Sequence, residues 1–64
     1  MAVSVDVVIN EVKSKGGEAF FTYLNMKEKV LHVKLNNVKK SYPINKMQCI
    51  SEEHYKEISK WQNQ

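Results

Sequence analysis

Two stretches of alternating apolar residues, on either side of Asn36 and Asn37, constrain the fold of this chain more than any other feature. The segment reads VLHVKLNNVKKSYPI over residues 30 to 44. Alternation at every second position is typical of a strand with one buried face. Asparagine tolerates the positive φ angles that a two-residue type I′ turn requires. The sequence therefore predicts an antiparallel hairpin.

This turn sets the register of the two strands, because Leu35 must lie opposite Val38, and Lys34 opposite Lys39. One face then receives the apolar set Leu31, Val33, Leu35, Val38, Tyr42 and Ile44, and the other receives His32, Lys34, Lys39 and Ser41. Two like charges that face each other are mildly destabilising, so the lysine pair indicates either a solvent-exposed face or an anionic partner. Pro43 lacks an N–H group, which predicts that the second strand lies at a sheet edge.

The segment before Gly16 and Gly17 fits two structures. Within residues 3 to 15, apolar residues alternate as in a strand. A second apolar set shares one helical face, with Ser4 as a helix N-cap, and consists of Val5, Val8, Ile9 and Val12. We favour the strand because β-branched residues dominate the segment, and keep the helix as the alternative. The two glycines then either turn a hairpin or end the helix. We interpret them as a plain turn and not as a phosphate cradle, because KSKGGE lacks P-loop spacing.

Two further elements complete the prediction. EAFFTYLN, residues 18 to 25, is rich in aromatic and β-favouring residues and predicts a strand with an aromatic residue on each face. The C-terminus predicts a helix that begins after Ser51, has Glu52 and Glu53 in its first turn, and carries an apolar stripe. That stripe consists of Tyr55, Ile58 and Trp61.

The predicted architecture is a single α+β domain over residues 1–64. A small antiparallel β-meander of three or four strands, with an SH3-like curl as a variant, carries one C-terminal helix packed on it. The outline resembles that of small basic chromatin proteins of the SH3-like kind in layout alone, because no motif in the chain matches one of theirs. Layout does not confer function. A chain of 64 residues buries only about 60% of its unfolded surface, so dimerisation would be a natural source of added stability.

Several chemistries are set aside by the residues present. Cys49 is the only cysteine, so no internal disulfide forms, and we expect a reducing, cytoplasmic location. We expect neither a secretory signal nor a membrane span, because the N-terminal segment lacks a positive start and no apolar run is long enough. His32, Cys49 and His54 do not have the spacing of a zinc site, and no nucleophile motif surrounds Cys49. We therefore expect no metal, no cofactor and no enzymatic activity.

The middle of the chain is strongly basic. Eight lysines stand against two glutamates between residues 13 and 46, within a net charge of +3, and all ten basic residues of the chain are lysine. Lysine suits phosphate groups, whereas bidentate recognition of guanine is mostly the work of arginine. The sequence thus favours a small accessory or regulatory protein that contacts nucleic-acid backbone without sequence preference. The expected contacts are Lys13, Lys15, His32, Lys34, Lys39 and Lys40, with Phe21 and Tyr23 joining them if their strand is phased to that face.

An alternative from another class is a small adaptor or inhibitor that docks on an acidic surface of a host protein, of the kind that phages and other mobile elements encode. It is favoured by the aromatic residues on both faces of residues 18 to 25, which are more than one short helix covers, and by the exposed sheet edge near Pro43, to which a partner strand can add. A third hypothesis is a homodimer whose sheet edges pair across a two-fold axis.

Overall fold

The α+β class is confirmed by a computed structural model, which describes residues 2–25 and 28–62. The elements in chain order are β1 (Ala2–Ser4), α1 (Val5–Ser14), β2 (Glu18–Tyr23), β3 (Lys29–Leu35), β4 (Val38–Ile44), β5 (Cys49–Ser51) and α2 (Glu52–Gln62). Strands β2, β3 and β4 form an antiparallel meander in that order, and β1 pairs with β5 in a second, two-stranded sheet. The meander has three strands and does not close into a barrel.

The favoured strand in the first segment is wrong, because residues 5 to 14 are helical and only residues 2 to 4 are extended. Val5, Val8 and Val12 are almost fully buried, so the helical spacing of the valines carries the packing. Burial against the sheet outweighs the modest helix penalty of β-branched residues. Ser4 occupies the predicted N-cap position, but its side chain makes no capping hydrogen bond.

The two glycines end α1 and do not turn a hairpin. Gly16 has a φ of 85°, and its N–H donates to the carbonyl of Lys13, while the N–H of Gly17 donates to Val12 at 2.9 Å. Because these amides are bonded to helix carbonyls, they do not form an anion cradle. A β-carbon at Gly17 would lie only 2.6 Å from the carbonyl oxygen of Lys34, so this position requires glycine for close packing.

The predicted hairpin is confirmed in turn and register. Asn36 and Asn37 have φ angles of 52° and 68°, as a type I′ turn requires, and Lys34 lies opposite Lys39. The predicted apolar face lies in or against the hydrophobic core, with Val38 and Ile44 at its margin.

Helix α2 is also confirmed. The N–H of His54 donates to the Ser51 hydroxyl at 3.3 Å, which caps the first turn. Ile58 is fully buried and Trp61 is 9% exposed. Both helices place their buried residues in one core with Leu31, so they cover the same face of the meander.

Candidate nucleic-acid interface

The face of the meander opposite the core carries the candidate site. Strand alternation places on it the residues Glu18, Phe20, Thr22, Val30, His32, Lys34, Lys39, Ser41 and Pro43, which we call the open face. No residue of this set is buried, and the two helices pack on the other side. The open face is therefore accessible to a ligand along the whole width of the three strands.

His32 occupies the middle strand of the open face and has a hydrogen-bond partner on each side. Its Nε2 lies 2.8 Å from the Thr22 hydroxyl oxygen, and its Nδ1 lies 2.9 Å from that of Ser41. The Phe20 ring contacts the imidazole with ring centroids 5.1 Å apart and planes inclined by 31°. These three contacts come from both neighbouring strands and hold the imidazole in one orientation. Phe20 itself is 54% exposed, so it retains surface on which a flat ligand can stack.

Lys34 and Lys39 lie side by side next to this aromatic pair. The two-residue turn makes Leu35 and Val38 a hydrogen-bonded pair, so the two lysines form the next, non-hydrogen-bonded pair, in which side chains come closest. Among the described residues neither lysine takes part in an ion pair. Both line a surface depression of about 250 Å³ whose other walls include Glu18, Phe20 and His32. Two unpaired ammonium groups beside the exposed ring of Phe20 make this depression suited to a phosphate attached to a planar base.

Lys40 lies on the opposite face, as its register against Val33 requires. Its ammonium group forms an ion pair with the Glu57 carboxylate of α2, and the Tyr42 hydroxyl donates to the same carboxylate oxygen at 3.0 Å. The hydrogen bond from Lys40 lowers the pKa of Glu57 from its ordinary value of 4.5, and the hydrogen bond from Tyr42 lowers it further by a smaller amount. Burial raises the pKa of Tyr42, and the hydrogen bond to Glu57 raises it further by a smaller amount. The structure thus gives Lys40 a role in holding α2 on the sheet and separates it from the lysine pair.

This cluster predicts a pH-dependent contribution of Glu57 to stability. Because the pKa of Glu57 is lower in the folded chain, the unfolded chain takes up the proton first as the pH falls. The contribution is complete above the ordinary pKa and is lost below it, as the pH passes through the lowered folded pKa. We expect Glu57→Gln to reduce the free energy of unfolding at pH 7, and we expect the difference from wild type to shrink as the pH falls below the ordinary pKa of 4.5 and through the lowered pKa of the folded chain. Urea unfolding across this range measures it, and a difference that stays constant contradicts it.

Phe21 and Tyr23 do not join His32 and Lys34. Phe21 pairs with Leu31, so both aromatics point to the side of the sheet that the helices cover, beyond the area the helices reach. They remain 41% and 65% exposed, and the Lys29 ammonium lies 5.6 Å and 5.3 Å from their ring centroids. Strand β2 is phased this way because the small side chain of Ala19 lies buried in the core.

The remaining predicted contacts lie at the end of α1. Lys13 is in its last turn and Lys15 is its C-cap, and both are exposed. Neither belongs to the strands that build the open face. Sequence reasoning did not select Phe20 as a site residue. The signal that identifies it is Ala19, the small residue that marks the packed side of an otherwise aromatic strand.

Metal-ligating side chains do not cluster in the described part of the chain. Residues 2–25 and 28–62 contain no group of three or more metal-ligating side chains. Cys49 is half-buried, and its thiol lies 3.4 Å from the Met47 carbonyl oxygen. Neither described helix has the length and apolarity that crossing a membrane requires.

The fold and the site together define a small α+β protein with a three-stranded sheet that is covered on one face only. Comparison of the chain with known protein families, curated proteins and solved structures finds no match.

Proposed function

We propose that this protein binds single-stranded nucleic acid across the open face, without enzymatic activity and without sequence preference. The observation that carries the proposal is the tilted ring contact between Phe20 and His32, beside Lys34 and Lys39 on an uncovered sheet face. In this arrangement Phe20 stacks against a base, and the two ammonium groups contact the adjoining phosphate. Proteins that bind single strands commonly combine stacking aromatic residues with a basic surface.

A single strand fits these residues better than a duplex does. Bases stack on a protein aromatic ring only when they are not stacked in a helix, and a sheet face offers no element that enters a groove. Sequence independence follows from the side chains, because lysine contacts phosphate as a point charge and the chain has no arginine. With two phosphate contacts, a plot of the logarithm of the binding constant against the logarithm of the salt concentration is expected to have a slope of about −1.4.

The binding test uses fluorescence anisotropy with a labelled oligodeoxythymidylate and with a duplex hairpin of equal charge. We expect tighter binding of the single strand and an affinity that falls with salt. Phe20→Ala should weaken binding about fivefold, at the lower end of measured stacking energies, because only one side of the ring is free. Tyr23→Ala, which removes an exposed ring from the other face, is the matched control and should leave affinity unchanged. Absence of binding at low salt, or equal losses in the two variants, contradicts the proposal.

A second candidate function, docking on another protein, is favoured by the free edge of β2. Phe21, Tyr23 and Leu24 are all exposed along this edge. The edge lacks the lysines and proline that natural edge strands use against pairing, whereas β4 has Lys39, Lys40 and Pro43.

We propose for this candidate that an apolar strand of a partner adds to β2, with an acidic residue of the partner near Lys29. The test is affinity purification after nuclease treatment, together with light scattering of the purified chain, for wild type and Phe21→Lys. A stoichiometric protein partner that the substitution removes supports docking. A dimer mass that the substitution removes identifies the partner as a second copy. A monomer with no partner contradicts this candidate.

A further inference from the structure

We propose that protonation of His32 strengthens the binding of nucleic-acid phosphate to the open face, so that affinity rises as the pH falls below neutral. The inference rests on the function proposed above and adds a regulatory property to the same site. It is carried by the hydrogen bonds and the charges around the imidazole.

The hydrogen-bond partners of His32 accommodate both protonation states. A neutral imidazole donates through one nitrogen and accepts through the other, so one of the two hydroxyls, Thr22 or Ser41, must donate to the ring. An imidazolium donates through both nitrogens, and a hydroxyl group is able to accept instead. Protonation therefore costs no hydrogen bond. It also releases one hydroxyl hydrogen, which becomes free to donate to a phosphate oxygen.

The charges that face His32 come from all three strands of the meander. Strand β2 contributes Glu18, β3 contributes Lys34 and β4 contributes Lys39, and these three residues line the same depression as His32. Their formal sum is one positive charge when the imidazole is neutral, and protonation raises it to two. The second effect concerns stacking, because a cationic ring interacts more strongly with an adjoining π-system than a neutral ring does. Histidine is the side chain whose charge ordinarily changes between pH 5 and pH 8.

The ligand class that fits is a phosphodiester with an unstacked base, in which the phosphate contacts the two ammonium groups and a released hydroxyl, and the base contacts Phe20. A free phosphate ion would share the charge effect but lacks the stacking contact. An oligonucleotide should therefore bind far more tightly than inorganic phosphate at either pH.

The experiment measures anisotropy with labelled oligodeoxythymidylate at pH 7.5 and pH 5.5, at constant ionic strength. Thymine is chosen because it does not titrate in this range. We expect wild type to bind about three- to tenfold tighter at pH 5.5, as one added charge near a phosphate implies. His32→Gln keeps a polar side chain and should bind equally at both pH values. His54→Gln, at the only other histidine of the chain, is the matched control and should keep the wild-type pH dependence.

A second measurement does not depend on any variant. It follows the NMR signals of the His32 ring through a pH titration of wild type, with and without oligonucleotide. We expect these signals to titrate at higher pH in the complex, because the oligonucleotide binds the protonated form more tightly. Binding that is equal at both pH values, or a pH dependence that persists in His32→Gln, overturns this inference and leaves the proposed function standing. Absence of binding at both pH values overturns the proposed function as well.

Discussion

Replacement of Lys34 and Lys39 together by glutamine is expected to weaken the binding of a single-stranded oligonucleotide about 30-fold at low salt. Each ammonium group contributes about 1 kcal/mol, the upper end for an ion pair exposed to solvent, and every 1.4 kcal/mol corresponds to a factor of ten. The salt dependence should also become nearly flat, because the two contacts that release counterions are lost. Anisotropy titrations at several salt concentrations measure both effects.

The matched control is the pair Lys56→Gln and Lys60→Gln on helix α2. It removes the same two charges from a helix that packs on the covered face. We expect the control to lose less than threefold in affinity, because distant exposed charges are screened. Equal losses in the two double variants would mean that net charge, and not the open face, governs binding.

Truncation of Ile58 to alanine is expected to lower the free energy of unfolding by about 2 to 5 kcal/mol, the range for large-to-small changes in a core. Ile58 is fully buried in the core, and it anchors α2 against the sheet. A small domain has a total stability near the lower end of about 5 to 15 kcal/mol, so a loss at the upper end of the expected range should leave a large fraction of the molecules unfolded at ambient temperature. Urea unfolding followed by circular dichroism provides the measurement.

Lys60→Ala serves as the control for Ile58→Ala, because Lys60 is an exposed neighbour on the same helix. It should change stability by less than about 0.5 kcal/mol. A loss of similar size in both variants, or a loss below about 1 kcal/mol for Ile58→Ala, contradicts the packing of α2 described above.

Local signals in the sequence predicted the hairpin and α2 correctly. Asn36 and Asn37 set a two-residue turn, and turn length sets register, so the lysine pair followed from residues that are neighbours in the chain. Ser51 and the stripe that includes Ile58 set the beginning and the buried face of α2 in the same way. Such elements are determined within a few residues, and a single sequence contains that information.

The errors arose where tertiary packing decides between local alternatives. Residues 3 to 12 satisfied both a strand and a helix pattern, and burial of Val5, Val8 and Val12 in the core selected the helix. The phase of β2 was ambiguous because Phe20 and Phe21 give both faces the same apolar character. Packing of Ala19 in the core decided it, which moved Phe21 away from the candidate site and brought Phe20 into it. Lys40 was placed among the expected contacts, but it lies on the other face and pairs with Glu57, in an element whose position the sequence does not specify.

The measurement that tests the central claim most directly is an NMR titration of the ¹⁵N-labelled chain with a single-stranded oligonucleotide, because it locates the ligand on the surface without any substitution. We expect the amides of α2 to change little and the largest chemical-shift changes to occur at Phe20, His32, Lys34 and Lys39. Changes concentrated on α2, or at Phe21 and Tyr23 with the open face unaffected, would contradict it.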